Sequence, residues 1–387
     1  MSVITFPGSE FAKNYDIICF SHLRWNFVFQ RPQHLLSRFA GKHNVFYVEE
    51  PIFHDGNPKL VVDESKEGVT VCVPHLPTGT RMDVASEMLR TLLDDLLVEK
   101  EVRDYVCWYY TPMMLTWTTH LKPLAVVYDC MDELSAFKNA PPELRTREAE
   151  LFSLSDLVFT GGRSLYEVKR QQHESVYCFP SSIDVKHFEK ALMTTEEPAD
   201  QASVGRPRIG FFGVIDERTD ISLLDRIAEL RPDWHFVMIG PVVKIEEEDL
   251  PSRDNIHYLG GKSYDQLPDY IAGWDVAMMP FAINESTRFI SPTKTPEYLA
   301  AGRPVVSTPI RDVVRPYGEA GLVRIAETAE EFVNAIREAL DEDAGERRVR
   351  AAEFLDTMSW DKTYAGMSEL IDEAIEKNSR QTARASI

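Results

Sequence analysis

The chain has 387 residues, 44% of them hydrophobic, with 42 Lys and Arg against 62 Asp and Glu and a formal net charge of −20. This acidic balance argues against a broad polyanion-binding face, so no nucleic acid partner is expected, although a small anion in a local pocket is not excluded. The five cysteines form no C-x-x-C pair, which argues against a disulfide framework and a zinc site. Residues 1–11 lack a signal-peptide pattern, and no stretch reaches the ~18 apolar residues of a membrane span. We therefore expect a cytoplasmic protein.

Short apolar runs alternate with helical patterns in the N-terminal half. This alternation predicts a parallel sheet covered by helices on both faces. The predicted strands are 16–21, 44–48, 106–110, 125–129 and 157–160, and the predicted helices are 32–39, 83–98 and 144–154.

A polar stretch at 194–207, rich in Pro, Gly, Ser and acidic residues, interrupts the pattern and is typical of a linker. A second series follows, with strands predicted at 208–214, 235–240, 256–259, 274–279 and 304–307 and helices at 221–230, 264–272 and 293–301. The predicted fold class is therefore α/β, with two Rossmann-like lobes at 1–186 and 208–357, a linker at 187–207 and an interlobe cleft.

The segment 291–308 has the pattern of a short helix with a ligand at its start. Ser291 is a good N-cap, and Gly302 suits the left-handed position after the last turn. Free amides near Thr293, together with the charge of Lys294, suit an anion such as a diphosphate.

Glu297 lies one turn after Lys294 on the same helical face. A carboxylate at this place is suited to accept two hydrogen bonds from a ribose diol. An ordinary amphipathic helix with a solvated lysine and glutamate is the alternative interpretation.

Basic and aromatic residues follow the first predicted strand, where no G-x-G-x-x-G motif supports dinucleotide binding. Aromatic rings stack on sugars and arginines pair with phosphates or acids, so this loop suits a sugar acceptor. The alternative is that its aromatic residues pack in the core or between the lobes. The candidate acceptor-binding residues are His22, Arg24, Trp25, Arg31 and, on the following helix, His34.

Asp129 and Asp132 close the predicted strand 125–129 and are candidate catalytic residues, for binding the acceptor hydroxyl or removing its proton. Capping of the next helix is the alternative role for Asp132. No D-x-D motif stands at a strand end, so we expect no metal, and we expect Lys294 and Arg218 to meet the charge of a leaving diphosphate.

The run E-Y-L-A-A-G-R-P-V-V-S-T at 297–308 resembles the nucleotide-binding helix of retaining GT-B glycosyltransferases of the family-four type. The segment 181–188 resembles that family's interlobe hinge, and 210–213 resembles its first C-lobe strand. The resemblance covers nearly the whole chain. It implies a GT-B fold, a donor ribose held by Glu297, and a final helix at 360–378 that crosses back to the N-terminal lobe.

Longer runs resemble a bacterial subgroup from polysaccharide and teichuronic-acid gene clusters, some members of which are linked to UDP-galactopyranose mutase. These runs are SHLRW at 21–25, QRPQH at 30–34, YDCMDE at 128–133, MPFA at 279–282 and the stretch 284–295.

Two departures from the family pattern concern the donor. The family has a second Glu eight positions before the ribose Glu, where Phe289 stands here, so Glu285 and Arg288 on the same loop are the candidate donor contacts. The family's Arg after the first C-lobe strand is replaced by Val214. Arg218 is our candidate for the phosphate-clamping role of a nearby family Lys, and pairing with a neighbouring aspartate is its alternative.

The resemblance implies a hexosyltransferase that moves a sugar from a nucleoside diphosphate, with UDP favoured, to a glycan or glycolipid in surface polysaccharide synthesis. It implies retention, and no cofactor besides the nucleotide-sugar co-substrate. Contact with the inner face of the membrane and a functional link to a UDP-galactopyranose mutase are further expectations. The alternatives are a nucleotide-sugar epimerase on the same fold and a non-catalytic nucleotide-binding subunit.

Overall fold

Two sheets of mainly parallel strands organise the chain, each in a lobe of its own. The computed structural model describes residues 15–385, so the prediction made for residues 1–11 lies outside the described residues. Within 15–385, no helix is long and apolar enough to cross a membrane.

The N-terminal sheet forms because its central strands are continuous apolar runs that are buried on both faces, as in other parallel sheets. In the described residues its spatial order is β3-β5-β2-β1-β6-β7-β8-β9, with β4 antiparallel to β5 at the edge and the other pairs parallel. The strands are β1 (Asp16–Ser21), β2 (Val45–Glu49), β3 (Ile52–His54), β4 (Lys59–Glu64), β5 (Thr70–Pro77), β6 (Tyr105–Tyr109), β7 (Ala125–Cys130), β8 (Leu157–Thr160) and β9 (Val176–Cys178).

The helices of this lobe cover both faces of the sheet, as predicted. They are α1 (Arg31–Ala40), α2 (Met82–Glu99), α3 (Leu115–Thr118), α4 (Leu144–Leu154) and α5 (Arg163–Lys169). The strands of the 52–77 edge and β9 are not predicted by the sequence pattern.

The C-terminal sheet has six parallel strands among the described residues, in the order β12-β11-β10-β13-β14-β15. This is the doubly wound order, and its switch point lies between β10 and β13, where loops leave in opposite directions and open a crevice. The strands are β10 (Arg208–Phe212), β11 (His235–Ile239), β12 (Ile256–Tyr258), β13 (Val276–Met279), β14 (Val305–Ser307) and β15 (Val323–Ile325).

The remaining helices follow from the hinge to the end of the described chain. They are α6 (Val185–Phe188), α7 (Ala199–Ala202), α8 (Ile221–Leu230), α9 (Leu267–Ala272), α10 (Lys294–Ala300), α11 (Arg311–Val313), α12 (Ala329–Asp341), α13 (Ala344–Leu355) and α14 (Trp360–Ala385).

The predicted linker is largely exposed but is anchored by a few buried residues. Phe188, Ala191 and Val204 lie within 187–207 and are buried in the C-terminal core. The linker prediction missed these contacts because its polar composition hides three well-spaced apolar residues. The stretch therefore packs as part of the C-terminal lobe.

The last helix crosses back onto the N-terminal lobe. Trp360, Met367, Ile371 and Ile375 of α14 are buried in the core that also contains β1 and α1 residues. Their spacing places them on one helical face, which explains the docking. The helix continues to Ala385, beyond the predicted end at 378.

Candidate functional site

A cleft of about 830 Å³ lies between the lobes, at the carboxyl ends of the C-terminal strands. The N-terminal lobe contributes the loop 25–30 and the segment 65–67 to its wall. The C-terminal lobe lines it with the loops that follow β10, β11 and β12 and with the start of α10. This is the crevice in which doubly wound sheets bind ligands.

Two glycines at strand ends allow a close approach of backbone and side chain in the cleft. Gly213 follows β10 with φ 143° and Gly240 follows β11 with φ 145°. A Cβ on Gly240 would lie 1.8 Å from the Gly213 carbonyl oxygen, and one on Gly213 would lie 2.2 Å from Cε of Lys294. Only glycine therefore lets Lys294 lie across the end of β10.

Lys294 and Glu297 face the cleft from α10, the lysine half-buried and the glutamate buried. Glu297 is 4% exposed, and its Oε2 is buried with no hydrogen bond. Lys294 Nζ forms no ion pair in residues 15–385 and lies 5.7 Å from the ring centre of Phe211. Burial raises the pKa of Glu297 and lowers the pKa of Lys294, while each charge opposes the shift of the other. Buried charges without partners are the groups that a ligand is expected to satisfy.

The start of this helix differs from the prediction. The helix is seven residues long with Thr293 at its N-cap, and no side chain caps it. Ser291 is therefore not the N-cap, and its carbonyl oxygen accepts a hydrogen bond from Ser181 Oγ of the hinge. Its predicted contact with the donor stays a prediction. Gly302 adopts φ 68°, the left-handed conformation that its position predicts.

Arg218 lines the cleft but is already engaged. Its Nε and Nη2 donate to the Asp216 carboxylate at 2.7 to 3.1 Å, which is the alternative considered for this residue. The side chain keeps 26% of its surface exposed, and its Cζ lies 5.5 Å from the ring centre of Phe137 in the other lobe. Asp216 therefore holds the guanidinium at the cleft, with surface left for a ligand.

Asp132 lies after β7 and faces the cations of the opposite lobe. Burial raises its pKa to about 6, while the nearby charges of Arg218 and other cations counter that shift. The turn that carries it is fixed by a buried cluster, in which Lys169 Nζ lies 2.8 Å from Glu133 and 2.7 Å from Glu148. The structure thus places a half-buried carboxyl group at the N-lobe side of the cleft.

Asp129 is buried in an ion pair with Arg31. It is 0% exposed, and both carboxylate oxygens accept hydrogen bonds from Arg31, at 2.8 to 3.1 Å. Arg31 is 2% exposed and also donates to the Phe179 carbonyl. Neither side chain reaches the surface, so this arrangement supports a structural role for the pair, and the catalytic role of Asp129 and the acceptor role of Arg31 stay predictions.

The other candidate acceptor residues are partly used by the N-terminal lobe itself. Trp25 lines the cleft but is 4% exposed, and Arg24 donates to Glu49 at 2.9 Å. His34 is stacked on Trp360 at 4.6 Å, and burial lowers its pKa well below the ordinary value. His34 therefore packs between helices, as the alternative interpretation allows. His22 is half-buried near the cleft.

The loop before α10 contacts the other lobe rather than the cleft. Glu285 and Arg288 are 76% and 56% exposed, pair with each other at 3.6 Å, and do not line the cleft. Their position away from the cleft lining does not support the predicted donor contacts, which stay predictions. Phe289 packs against the N-terminal core. Phe289, which stands where the family pattern has a Glu, thus makes a contact between the lobes.

Several residues of the site are missed by sequence reasoning. Gly213 and Gly240 each stand at or near the end of a predicted strand, and that repeated position is a signal that could have identified them. Phe137, Glu217 and Lys244 lie in loops without any pattern and meet only in the folded chain. Among residues 15–385, no group of three or more His, Cys, Asp or Glu is arranged to hold a metal ion.

Part of the chain is similar to a known protein family. Residues 206–342 match the profile of the family described as Glycosyl transferases group 1. TuaH of Bacillus subtilis (strain 168), named as a teichuronic acid biosynthesis glycosyltransferase, is 25% identical over 237 residues. That alignment spans 57% of this chain and 59% of TuaH, so it covers somewhat more than half of each protein.

Solved structures share the fold over nearly the whole chain. An E. coli trehalose-6-phosphate structure bound with UDP-2-fluoro glucose has a TM-score of 0.65 at 14% identity, over 92% of this chain and 99% of that one. HepE from Anabaena, in complex with UDP, has a TM-score of 0.65 at 13% identity, over 92% of this chain and 100% of its own. Sucrose-phosphate synthase from Thermosynechococcus elongatus has a TM-score of 0.67 at 13% identity, over 94% and 100%. The chain therefore has the GT-B fold, and its residues 206–342 are similar to the group 1 glycosyltransferases.

Proposed function

We propose that this protein is a hexosyltransferase that moves a sugar from a nucleoside diphosphate to a glycan or glycolipid acceptor in surface polysaccharide synthesis. UDP is the favoured nucleotide. The observation that carries the proposal is the pair Lys294 and Glu297, which lines the cleft with a buried Glu297 Oε2 that forms no hydrogen bond and a Lys294 ammonium group that forms no ion pair among the described residues. Lysine suits the diphosphate, and the glutamate suits the hydroxyls of the ribose.

The choice of UDP rests on relatives. The E. coli and Anabaena structures contain UDP-2-fluoro glucose and UDP, and they share this chain's fold. The name of TuaH refers to teichuronic acid biosynthesis, which supports a polysaccharide product. An association with the inner face of the membrane and with a UDP-galactopyranose mutase rests on the sequence resemblance and belongs to the same proposal.

The residues of the cleft suggest how transfer proceeds. The bond from the anomeric carbon to the diphosphate oxygen breaks, a bond to the acceptor oxygen forms, and the acceptor proton passes to the leaving diphosphate. Lys294 and Arg218 offset the charge that develops on that diphosphate, in a site screened from water by both lobes. We propose that the reaction retains the anomeric configuration and needs no metal ion. Retention follows from the family resemblance, and the two cations supply the charge that a metal would.

Nucleotide binding is the direct test. Calorimetric titration of the whole protein with UDP, GDP, TDP and CMP, each with Mg²⁺ and with EDTA, measures which base is bound and whether a metal contributes. We expect UDP to bind equally in both buffers. At 100 times its Kd the nucleotide stabilises the fold by about 2.7 kcal/mol, which a thermal scan detects.

Two glutamate variants separate the site from general charge effects. Glu297→Gln removes the buried carboxylate and is expected to weaken UDP binding about tenfold or more, since a hydrogen bond to a charged group contributes about 1.5–3 kcal/mol. Glu285→Gln changes an exposed glutamate on the same lobe and leaves binding unchanged. No binding of any nucleotide, or equal losses in both variants, contradicts the proposal. The anomeric configuration of the product, read by NMR, tests retention.

A further inference from the structure

A second group of side chains lies beside the nucleotide pocket and is built from both lobes. We call Phe137, Glu217, Lys244 and His22 the cross-lobe cluster. Lys244 Nζ, from the loop after β11, lies 5.1 Å from the ring centre of Phe137 in the N-terminal lobe and 3.6 Å from Glu217 Oε1. Arg218 also faces the Phe137 ring, so the cluster continues directly into the nucleotide pocket.

The cluster contains buried polar atoms that no described residue satisfies. Both carboxylate oxygens of Glu217 and Nδ1 of His22 are buried and form no hydrogen bond. Buried polar atoms are nearly always hydrogen-bonded in folded proteins, so these positions are suited to the polar groups of a ligand. Burial and the charge of Lys244 lower the pKa of His22 to about 4, so its ring is neutral at pH 7 and keeps one acceptor nitrogen.

The backbone conformation of Lys244 also supports a ligand site. Its φ is 63°, a left-handed conformation that lysine seldom adopts and that glycine adopts without strain. Strain of this kind is concentrated at ligand sites, where the side chain is needed at that place. Here the conformation holds a half-exposed ammonium group next to an aromatic ring and a carboxylate.

Resting on the proposed sugar transfer, we propose that the cross-lobe cluster binds the ring of an uncharged acceptor sugar. Phe137 offers an apolar face for the sugar ring, Glu217 accepts hydrogen bonds from its hydroxyls and Lys244 donates to them. An anionic ring fits less well, because Glu217 already offsets the charge of Lys244 and would repel a second carboxylate. The neighbouring Asp132 and Arg218 place this ring next to the donor.

The experiment measures the binding of two simple probes to the whole protein loaded with UDP. Saturation-transfer NMR with methyl β-D-glucopyranoside and methyl β-D-galactopyranoside gives the affinity of each probe. Phe137→Leu and Glu217→Gln change the cluster, while Phe53→Leu and Glu285→Gln change exposed residues of the same types and serve as controls. Each variant is compared at a UDP concentration that saturates it, so that a change in UDP affinity does not enter the comparison of the probes.

We expect at least one probe to bind the wild type and both cluster variants to bind it about tenfold more weakly, the usual effect of one aromatic or charged contact. The two controls keep wild-type affinity. Absence of probe binding to the UDP-loaded wild type, or equal affinity in the cluster variants, overturns the proposal. If methyl β-D-glucopyranosiduronate binds more tightly than the neutral probes, the proposal that the acceptor sugar is uncharged is wrong.

The two proposals fail separately. If UDP does not bind the wild type, the proposed function is wrong, and titration of the probes without nucleotide still decides whether the cluster binds a sugar. If UDP binds and the probes do not, the nucleotide site stands and the cross-lobe cluster is not an acceptor site.

Discussion

The buried pair Arg31 and Asp129 allows a prediction that separates structure from catalysis. Arg31 donates three hydrogen bonds to Asp129 and a fourth to the Phe179 carbonyl, and both side chains are at most 3% exposed. Asp129→Ala leaves a buried guanidinium charge without its counter-ion. The loss of one partner of such a pair costs about 3–5 kcal/mol.

The double variant Arg31→Met with Asp129→Leu is expected to behave differently. Burial raises the pKa of Asp129 although Arg31 lowers it, whereas the charge of Asp129 raises the pKa of Arg31 although burial lowers it. Desolvation and attraction therefore oppose each other in this pair, and neither dominates at both partners. Two apolar side chains of similar size then stabilise the lobe about as well as the ion pair does. We expect the free energy of unfolding of the double variant to lie within about 1 kcal/mol of the wild-type value, although this variant lacks both predicted functional groups.

Scanning calorimetry of the whole protein measures this pattern. For a lobe of this size, 1 kcal/mol shifts Tm by about 2–4 °C, so Asp129→Ala lowers the N-terminal transition by about 6–20 °C. At a temperature where the variant is folded, UDP affinity is expected to stay close to that of the wild type, because Lys294 and Glu297 belong to the other lobe. A single variant with wild-type Tm, or a double variant as unstable as the single one, refutes the reasoning. If Asp129→Asn loses transfer activity while its stability is unchanged, the result supports a catalytic role for Asp129.

Three further predictions follow from the site and its packing. Gly213→Ala places a Cβ 2.2 Å from Cε of Lys294 at a φ of 143°, so UDP affinity by calorimetry is expected to fall about tenfold, and an unchanged affinity contradicts the close approach. The pKa of Asp132 is raised to about 6, so its carboxylate ionises as the pH rises through that value. If the ionised form is needed, the transfer rate rises over the same range and Asp132→Asn removes this limb, whereas an identical limb in the variant excludes Asp132 as its source. Burial lowers the pKa of His34 below 6.5, so below that pH the unfolded chain binds a proton at His34 that the folded chain does not bind. The free energy of unfolding therefore falls by up to about 1.4 kcal/mol for each pH unit below pH 6.5. His34→Phe should flatten this dependence in urea unfolding at pH 7.5 and 5.5, and an equal slope would show that His34 does not contribute.

The sequence alone is sufficient for the elements with strong local patterns. The ranges Leu144–Leu154, Leu157–Thr160 and Ile221–Leu230 agree with their predictions, because a continuous or evenly spaced apolar pattern determines each of them. The edge strands at 52–77 escape prediction because their side chains are largely half-buried or exposed, so their hydrophobic pattern is weak.

Part of the candidate site is also readable from the sequence. Lys294 and Glu297 are one helical turn apart, a spacing that is fixed by local geometry and brings both to one face. Family resemblance then assigns the ribose role to Glu297. The helix start is predicted wrongly, because the capping pattern favours Ser291 whereas the helix has Thr293 at its N-cap and no side-chain cap.

Local chemistry therefore determines the two doubly wound lobes, the apolar face of the last helix and the Lys294–Glu297 spacing. Tertiary structure alone decides which polar groups remain available to a ligand. Arg31 and Asp129 are 98 residues apart and neutralise each other in the core. Phe137 and Lys244 come from different lobes and meet at the cleft. A residue's type sets the chemistry it can perform, but its partners and burial set whether it performs it, and both depend on contacts that are distant in sequence.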